Sequence, residues 1–191
     1  MSNKKLICGM GINDATYTTA PRVNGVQLKC PYYRKWSSMI ERCYSEACLK
    51  ERPSYKGCTV TPEWLSFMTF REWMMTQDWE GNELDKDILI KGNSVYGPDT
   101  CLFVSQAVNS FILDNPKNRG KWPIGVYLHK PNKWRAMLSV PGRNKICLGV
   151  HGSPEEAHSA YLIGKQKMAM KLASEQNDPR VAAALIERYK L

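Results

Sequence analysis

The chain has 191 residues, of which 43% are hydrophobic and 10% aromatic, a composition typical of one globular domain or two small ones. No apolar run approaches the ~20 residues that a membrane-spanning helix needs, and the start, MSNKKLICGMG, lacks the pattern of a secretory signal. We therefore expect a cytoplasmic protein with no membrane partner, whose seven cysteines are reduced.

The net charge of +9 is unevenly distributed along the chain. Residues 114–191 carry 14 basic and 6 acidic side chains, whereas residues 1–113 carry 13 and 12. Between Asp114 and Glu155 there are eight basic residues and no acidic one. A phosphate backbone is the natural partner of such a field. The alternative is a basic face that meets only water.

The first part of the chain mixes extended and helical patterns. Residues 1–29 combine Gly, Asn, Thr and Pro with scattered apolar residues, which predicts an extended segment. Apolar residues at helical spacing predict a helix over Tyr33–Tyr44, and a short strand is expected over Gly57–Val60. Thr61-Pro62-Glu63 is a typical helix start, so a scaffold helix is predicted over Pro62–Gln77.

The next stretch predicts strands followed by a helix. Leu84–Ile90 reads as a strand, and Val95-Tyr96 and Cys101–Val104 read as short extended segments. Ser105 is a suitable cap for a helix that runs to about Leu113. The pattern is therefore a β-β-α arrangement.

Four cysteines lie at a start, an end or a turn of these predicted elements: Cys30, Cys43, Cys58 and Cys101. Four thiolates that converge would suit the tetrahedral coordination of structural Zn²⁺, and Cys48 competes for the fourth position. Their spacing contains no C-x2-C pair, however. The alternative is that these cysteines are small buried hydrophobic residues.

The stretch from Gly125 to Ala160 predicts three short strands and a capped helix. The strands are expected over Gly125–Lys130, Lys133–Val140 and Lys145–Val150, because Pro131-Asn132 and residues 141–144 are turn signals. Ser153 is a suitable N-cap, Pro154 fits the first helical position and Glu156 completes a capping box. The helix is expected to end near Ser174.

Side chains alternate along these strands, so they form two faces. The apolar face, which the helix would cover, consists of Val126, Leu128, Trp134, Ala136, Leu138, Val140, Ile146 and Leu148. The opposite face consists of Tyr127, His129, Arg135, Met137, Ser139, Lys145 and Cys147. This second face has no apolar set to bury and must meet water or a partner. A twisted sheet face with this charge can enter the major groove of DNA.

Two further segments flank this predicted sheet. Residues 114–124 are a basic linker rich in turn formers, able to lie along phosphates. A final helix is expected over Arg180–Leu191, with its apolar stripe either packed back on the chain or used in a homodimer.

The motifs GVY, NKWRA, the LG before the capped helix, and SPEEAHSAY resemble the Apetala-type, or ethylene-response-factor-type, DNA-binding domain. The resemblance implies a three-stranded antiparallel sheet packed on one helix, with the sheet inserted into the major groove. It places the DNA-facing positions on the second of the two sheet faces. Several of these positions differ from the Arg- and Trp-rich plant pattern, so the resemblance does not carry over a base preference.

The motifs CPYYRKWSSMIERCYS, YKGCTV, LDKDI, PDTC and QAVN resemble phage homing endonucleases of the HNH, or His-Me finger, type, many of which carry a C-terminal Apetala-type domain. In that family a carboxylate and an amide oxygen hold one divalent cation, and a His deprotonates the attacking water. The resemblance implies a site for Mg²⁺ or Mn²⁺ with Asp85 as the acid and Asn109 as the amide. The general-base position falls on Lys86.

Lys86 is a departure from the family pattern, because a lysine at its ordinary pKa is protonated near neutral pH and cannot accept a proton from water. It would instead bind phosphate, or act as a base only after strong desolvation. A shift of the alignment by one residue would bring in Asp87, and Asn93 completes the candidates. The module is thus either a nuclease with a modified mechanism or a nuclease fold that binds DNA without cleaving it. A third interpretation is that Asp85 and Asp87 are merely charged residues on a solvent-facing strand edge.

These inferences together predict an α+β protein: a ββα His-Me-finger-like module followed by a three-stranded antiparallel sheet packed on one helix. The expected division is an extended segment over 1–29, a Cys-containing module over 30–113, the linker over 114–124, the Apetala-type domain over 125–173 and a C-terminal helix over 174–191. The expected partner is double-stranded DNA. The candidate DNA-binding residues are Lys117, Arg119, Lys121, Tyr127, His129, Lys130, Lys133, Arg135, Arg143 and Lys145.

Three function classes follow from this architecture. The first is a metal-dependent endonuclease, and the second is a catalytically inactive DNA-binding regulator or phage anti-host factor. The third is a module that binds a host protein. If the chain is phage-encoded, it would act in the cytoplasm of an infected bacterium.

Overall fold

The computed structural model describes residues 6–113 and 120–191, and it shows a mixed α and β protein with small sheets. The chain divides into two compact units, Met1–Phe103 and Val104–Leu191. This division falls before the module end predicted at residue 113, so the helix that follows Ser105 belongs to the second unit. In the described ranges no helix is both long and apolar enough to cross a membrane.

Short strands and helices make up the described part of the first unit. Its strands are β1 (Leu6–Ile7), β2 (Gly11–Ile12), β3 (Arg22–Val23), β4 (Val26–Gln27), β5 (Thr59–Val60), β6 (Glu83–Asp85), β7 (Val95–Tyr96) and β8 (Leu102–Val104), whose last residue begins the second unit. Its α-helices are α1 (Pro31–Tyr44), α2 (Glu46–Glu51) and α3 (Phe67–Met75). The strands pair as β1 with β2, β3 with β4, β5 with β7 and β6 with β8. The N-terminal segment therefore contains two small hairpins.

Helix α1 confirms the predicted helix and supplies much of the core of the first unit. Pro31 occupies its first turn, where a missing N–H costs nothing. The stripe that faces inward is buried, with Trp36, Met39 and Ile40 fully inaccessible. The Trp36 indole Nε1 donates a hydrogen bond of 2.8 Å to the carbonyl oxygen of Trp64, so this large side chain is buried without an unpaired donor.

The prediction of one helix over Pro62–Gln77 is wrong. A 3-10 helix covers Pro62–Leu65, Ser66 is extended, and α3 begins at Phe67. The break is stabilised at Ser66, whose Oγ accepts from the Thr69 amide and donates to Asp14 Oδ2 at 2.6 Å. Asp14 Oδ1 also accepts from the Met68 amide at 2.9 Å. A side chain distant in sequence thus caps a new helix start.

The strand predicted over Leu84–Ile90 begins as expected but is too long, because β6 covers Glu83–Asp85. The Asp85 Oδ1 accepts hydrogen bonds from the backbone amides of Asp87 (2.8 Å) and Ile88 (2.6 Å). This local side-chain turn satisfies amides that would otherwise pair with a neighbouring strand, and it bends the chain away from the sheet.

The second unit contains a helix, a three-stranded sheet and two further helices. Its elements after β8 are α4 (Gln106–Ile112), β9 (Val126–Lys130), β10 (Lys133–Leu138), β11 (Ile146–His151), α5 (Pro154–Ser174) and α6 (Pro179–Arg188). The sheet has the order β11-β10-β9 with both pairs antiparallel, as predicted. The predicted capping of α5 is confirmed: Ser153 Oγ accepts from the Glu156 amide, and Glu156 Oε2 accepts from the Gly152 amide.

Helix α5 lies very close to one face of the sheet. Ala157 and Ala136 are fully buried, so small side chains face each other across this interface. A Cβ at Gly125 would collide with the ring of Tyr161, and a Cβ at Gly164 would collide with the Leu148 side chain. Gly125 also has φ +80°, which a residue with a side chain rarely adopts.

Helix α6 begins at Pro179, one position before the predicted start, and is capped by Asp178, whose Oδ1 accepts from the Arg180 amide at 2.8 Å. The apolar stripe of α6 packs on α5, and Val181 and Leu185 are buried. Of the two uses predicted for this stripe, the structure therefore shows packing within the chain.

Gly164 provides a test of this close helix–sheet contact. We expect Gly164→Ala to lower the free energy of unfolding by about 1–3 kcal/mol, because the added methyl group must displace Leu148. At an exposed helix position the same change would raise stability by about 0.5–1 kcal/mol. Urea unfolding measures the difference, with Gly152→Ala as a control whose Cβ meets only an ordinary 3.5 Å contact. A Gly164→Ala variant more stable than wild type would contradict the packing described.

Candidate functional site

The face of the sheet that α5 does not cover is organised by strand register. Tyr127 of β9 is paired with Arg135 of β10, which is paired with Val150 of β11. Paired residues of antiparallel strands project from the same face, so these three side chains form one row across the sheet. All three are exposed. We call this surface the outer face.

Lys145 extends this row toward solvent. Its ammonium donates a hydrogen bond of 3.0 Å to the Tyr127 hydroxyl and lies 5.1 Å from the centroid of the Tyr127 ring. The contact holds a long, flexible cation above an aromatic ring that is itself 47% exposed. Arg135 on β10 and Lys145, which directly precedes β11, thus bring two positive charges to Tyr127.

The ends of the strands add further positive charge. Lys130 and Lys133 are register partners at the tip of the β9–β10 hairpin, and both are exposed. Two like charges placed opposite each other repel, which favours a partner that carries negative charge. Arg143 is exposed in the next turn, and His129 is exposed on β9.

The strand register agrees with the predicted faces, since Ile146 is paired with Leu138 and Leu128 with Trp134, but the helix covers only the centre of the apolar face. Val126, Ala136 and Leu138 are buried against α5 as predicted. Leu128 and Ile146, assigned to the same face, remain 56% and 41% exposed. Leu128 lies on β9 and Ile146 on β11, the two edge strands of the sheet, where the helix does not cover them.

Val150 is an outer-face residue that the alternation pattern does not reveal. A bulge between Ala136 and Met137 pairs these residues with Gly149 and Cys147, so Leu148 is an extra residue in β11. The bulge keeps Leu148 toward the helix and turns Val150 outward. The signal in the sequence is the glycine within a strand, at φ +134° in the structure.

The predicted basic linker is described only in part. Lys117 and Arg119 lie outside the described residues. Lys121 is exposed, and its ammonium lies 5.3 Å from the centroid of the Trp122 ring. Trp122 in turn packs edge-on against Trp134, with centroids 5.5 Å apart, so the end of the linker is anchored beside the sheet.

In the first unit, Asp85 lies at the end of β6 with its carboxylate partly buried. Burial raises the pKa of Asp85, and the two amide hydrogen bonds that this carboxylate accepts oppose the shift. Those bonds occupy Oδ1 and so organise the turn after β6. This oxygen therefore has a structural task in addition to any metal ligation.

Lys86, the residue predicted at the general-base position, is a buried cation with fixed partners. Its ammonium donates 2.8 Å to Asp87 Oδ2 and 2.6 Å to the carbonyl oxygen of Asn93. The Asn93 amide donates back to the Lys86 and Val95 carbonyl oxygens and accepts from the Val95 amide. Lys86 and Asn93 therefore close the loop between β6 and β7 by reciprocal hydrogen bonds.

Four of the five predicted catalytic residues lie together in the first unit. Asp85, Lys86, Asp87 and Asn93 are joined by hydrogen bonds in the first unit. Asn109 lies on α4 in the second unit, half-buried. The three histidines also lie in the second unit. His158 Nδ1 donates a hydrogen bond of 3.1 Å to the carbonyl oxygen of Ile124.

Three of the four cysteines predicted for zinc lie in the core of the first unit. Burial raises the pKa of Cys43 and Cys101 to about 12 and raises that of Cys58 as well. Cys30 is only half-buried. Within residues 6–113 and 120–191, no three His, Cys, Asp or Glu side chains are grouped as metal ligands. The zinc site stays a prediction.

Comparison of the chain with protein-family models, with curated proteins and with solved structures finds no match.

Proposed function

We propose that the protein binds double-stranded DNA through the outer face of the β9–β11 sheet. The supporting observation is the row of Tyr127 and Arg135 with Lys145 held over the tyrosine ring. From residue 120 to residue 154 the sequence contains no acidic residue to neutralise these charges. Phosphates supply the missing counter-charge, and Arg135 presents the planar fork that pairs with guanine in the major groove.

The dimensions of the sheet fit this role. Three strands about 4.8 Å apart give a surface about 10 Å wide, and the major groove of B-DNA is about 12 Å wide. Helix α5 lies on the inner face and leaves the outer face accessible. Lys130, Lys133 and Arg143 stand at the strand ends, where the sheet would meet the phosphates that border a groove.

The resemblance of the sequence to the Apetala-type domain also favours a sheet that enters the major groove. Its wider function class is a DNA-binding regulator or anti-host factor. A protein partner on the same surface is the competing reading. Salt separates the two, because counterion release makes phosphate binding fall steeply with salt concentration.

The outer face is tested by Arg135→Ala combined with Lys145→Ala. We expect the double variant to bind a duplex more weakly and to lower the slope of log affinity against log salt by about two, since two phosphate-neutralising charges are lost. Fluorescence anisotropy over a salt series measures both quantities.

The matched control is Lys167→Ala combined with Lys171→Ala, two exposed cations of α5. They lie on the helix that covers the inner face, so the control removes the same charge from outside the proposed interface. An equal loss of duplex affinity in both double variants would mean that only the net charge of the protein matters. Unchanged affinity in the outer-face variant would remove this surface from the account.

Metal-dependent DNA cleavage is the second candidate function. It is favoured by Asp85 at the end of β6 and by the pairing of β6 with β8. The position of the base disfavours it, because the Lys86 ammonium is buried and already donates to Asp87 and Asn93. We therefore propose that binding without cleavage is the activity of this chain.

Supercoiled plasmid distinguishes binding from cleavage. With Mg²⁺ or Mn²⁺ we expect a gel shift and no nicking, because Lys86 does not provide a free base. Asp85→Ala, prepared in parallel, is the control for contaminating nucleases. Metal-dependent nicking that disappears in Asp85→Ala would contradict this expectation and establish an enzyme.

A further inference from the structure

Arg71 of α3 lies close to two tyrosine rings of the first unit. Its guanidinium carbon lies 5.3 Å from the centroid of the Tyr32 ring and 5.8 Å from that of Tyr17. Tyr32 is itself supported by Trp79, with ring centroids 4.8 Å apart. Two aromatic rings therefore hold one cation in place.

Among residues 6–113 and 120–191, no acidic side chain is seen to form an ion pair with Arg71. The ion pairs identified among the described residues join Lys35 to Glu83, Lys86 to Asp87, Arg180 to Asp178 and Lys190 to Glu187. Arg71 is in none of them, and its Nε is buried with no hydrogen-bond partner. The Arg71 side chain as a whole is only half-buried, so an anion can reach the guanidinium from the surface and supply a counter-charge.

The surroundings of Arg71 are fixed before any ligand arrives. Asn13 Nδ2 donates to Thr19 Oγ1 at 3.2 Å, and the carbonyl oxygen of Thr19 accepts from the Cys30 amide at 2.8 Å. These bonds tie down both ends of the loop that carries Tyr17. Tyr17 remains 42% exposed, so the site opens at the surface.

The chemistry of Arg71 selects a phosphate group as its ligand. A cation–π contact does not use the N–H groups of a guanidinium as hydrogen-bond donors, and the planar edge that carries them matches the oxygens of a phosphate. A chain with a net charge of +9 also attracts polyanions in preference to cations. We propose that Arg71, held against Tyr17 and Tyr32, is a phosphate-binding site of the first unit. Where DNA supplies the phosphate, this inference rests on the proposed function.

The test compares full-length wild type with Arg71→Gln, which keeps a planar end and loses the charge. The matched control is Arg52→Gln, an exposed arginine of the same unit. A short duplex is titrated over a salt series, and inorganic phosphate is titrated separately by calorimetry. We expect Arg71→Gln to weaken duplex binding about tenfold and to lower the salt slope by about one, with Arg52→Gln near wild type.

A second pattern of results would also support the phosphate site. Duplex binding would be unchanged in Arg71→Gln, while wild type binds inorganic phosphate saturably and the variant does not, so that a free phosphate is the source. Equal behaviour of Arg71→Gln and Arg52→Gln in both titrations would overturn the inference. Urea unfolding checks the fold, and Arg71→Lys, which keeps the charge and loses the fork, replaces Arg71→Gln if that variant is unfolded.

The same salt series separates this inference from the proposed function. If the outer-face double variant binds DNA like wild type while Arg71→Gln does not, the outer face fails and Arg71 stands. If the outer-face double variant alone loses affinity and neither duplex nor inorganic phosphate responds to Arg71→Gln, the outer face stands and Arg71 fails.

Discussion

The close contact between α5 and the β9–β11 sheet determines what the second unit can present to a partner. The helix approaches so closely because Gly125 lies under the Tyr161 ring and Gly164 lies against Leu148. With Val126, Ala136 and Leu138 buried on that side, alternation leaves Tyr127 and Arg135 on the other side. The outer face is thus a consequence of packing, and its charge follows from which residues occupy the alternate positions.

Much of this unit follows from local sequence signals. Period-two alternation, the Pro131-Asn132 turn and the Ser153–Glu156 capping box each act over a few residues, and each is confirmed. The β11 bulge is not predicted, because it depends on which residues of β11 pair with β10. Gly149 is paired with Ala136, and Leu148 has no partner on β10. The outer face of the candidate site was therefore predictable apart from Val150.

The first unit was less predictable, because contacts that local patterns do not show decide where its helices and strands begin and end. The helix start at Phe67 depends on Asp14, more than fifty residues earlier in the chain, and no local pattern contains that contact. The end of β6 depends on which amides the Asp85 carboxylate accepts. Arg71 shows the same limit, since the two tyrosines that hold it come from separate parts of the sequence.

The two units also differ in how their charges are used. Lys86 in the first unit donates hydrogen bonds to Asp87 and Asn93, so its charge stabilises a loop. The cations of the outer face are exposed instead, and Lys145 contacts the Tyr127 ring. Charge that the fold does not neutralise is what makes the outer face the proposed DNA interface.

Cys147 offers the most direct measurement of this account, because it is an exposed thiol on the outer face and the register partner of Met137. Cys8 is an exposed thiol of the first unit and serves as an internal reference. The rate of alkylation of each is followed by mass spectrometry with and without duplex DNA. The account predicts that DNA slows modification of Cys147 and leaves that of Cys8 unchanged. Equal rates at Cys147 with and without saturating DNA would contradict it.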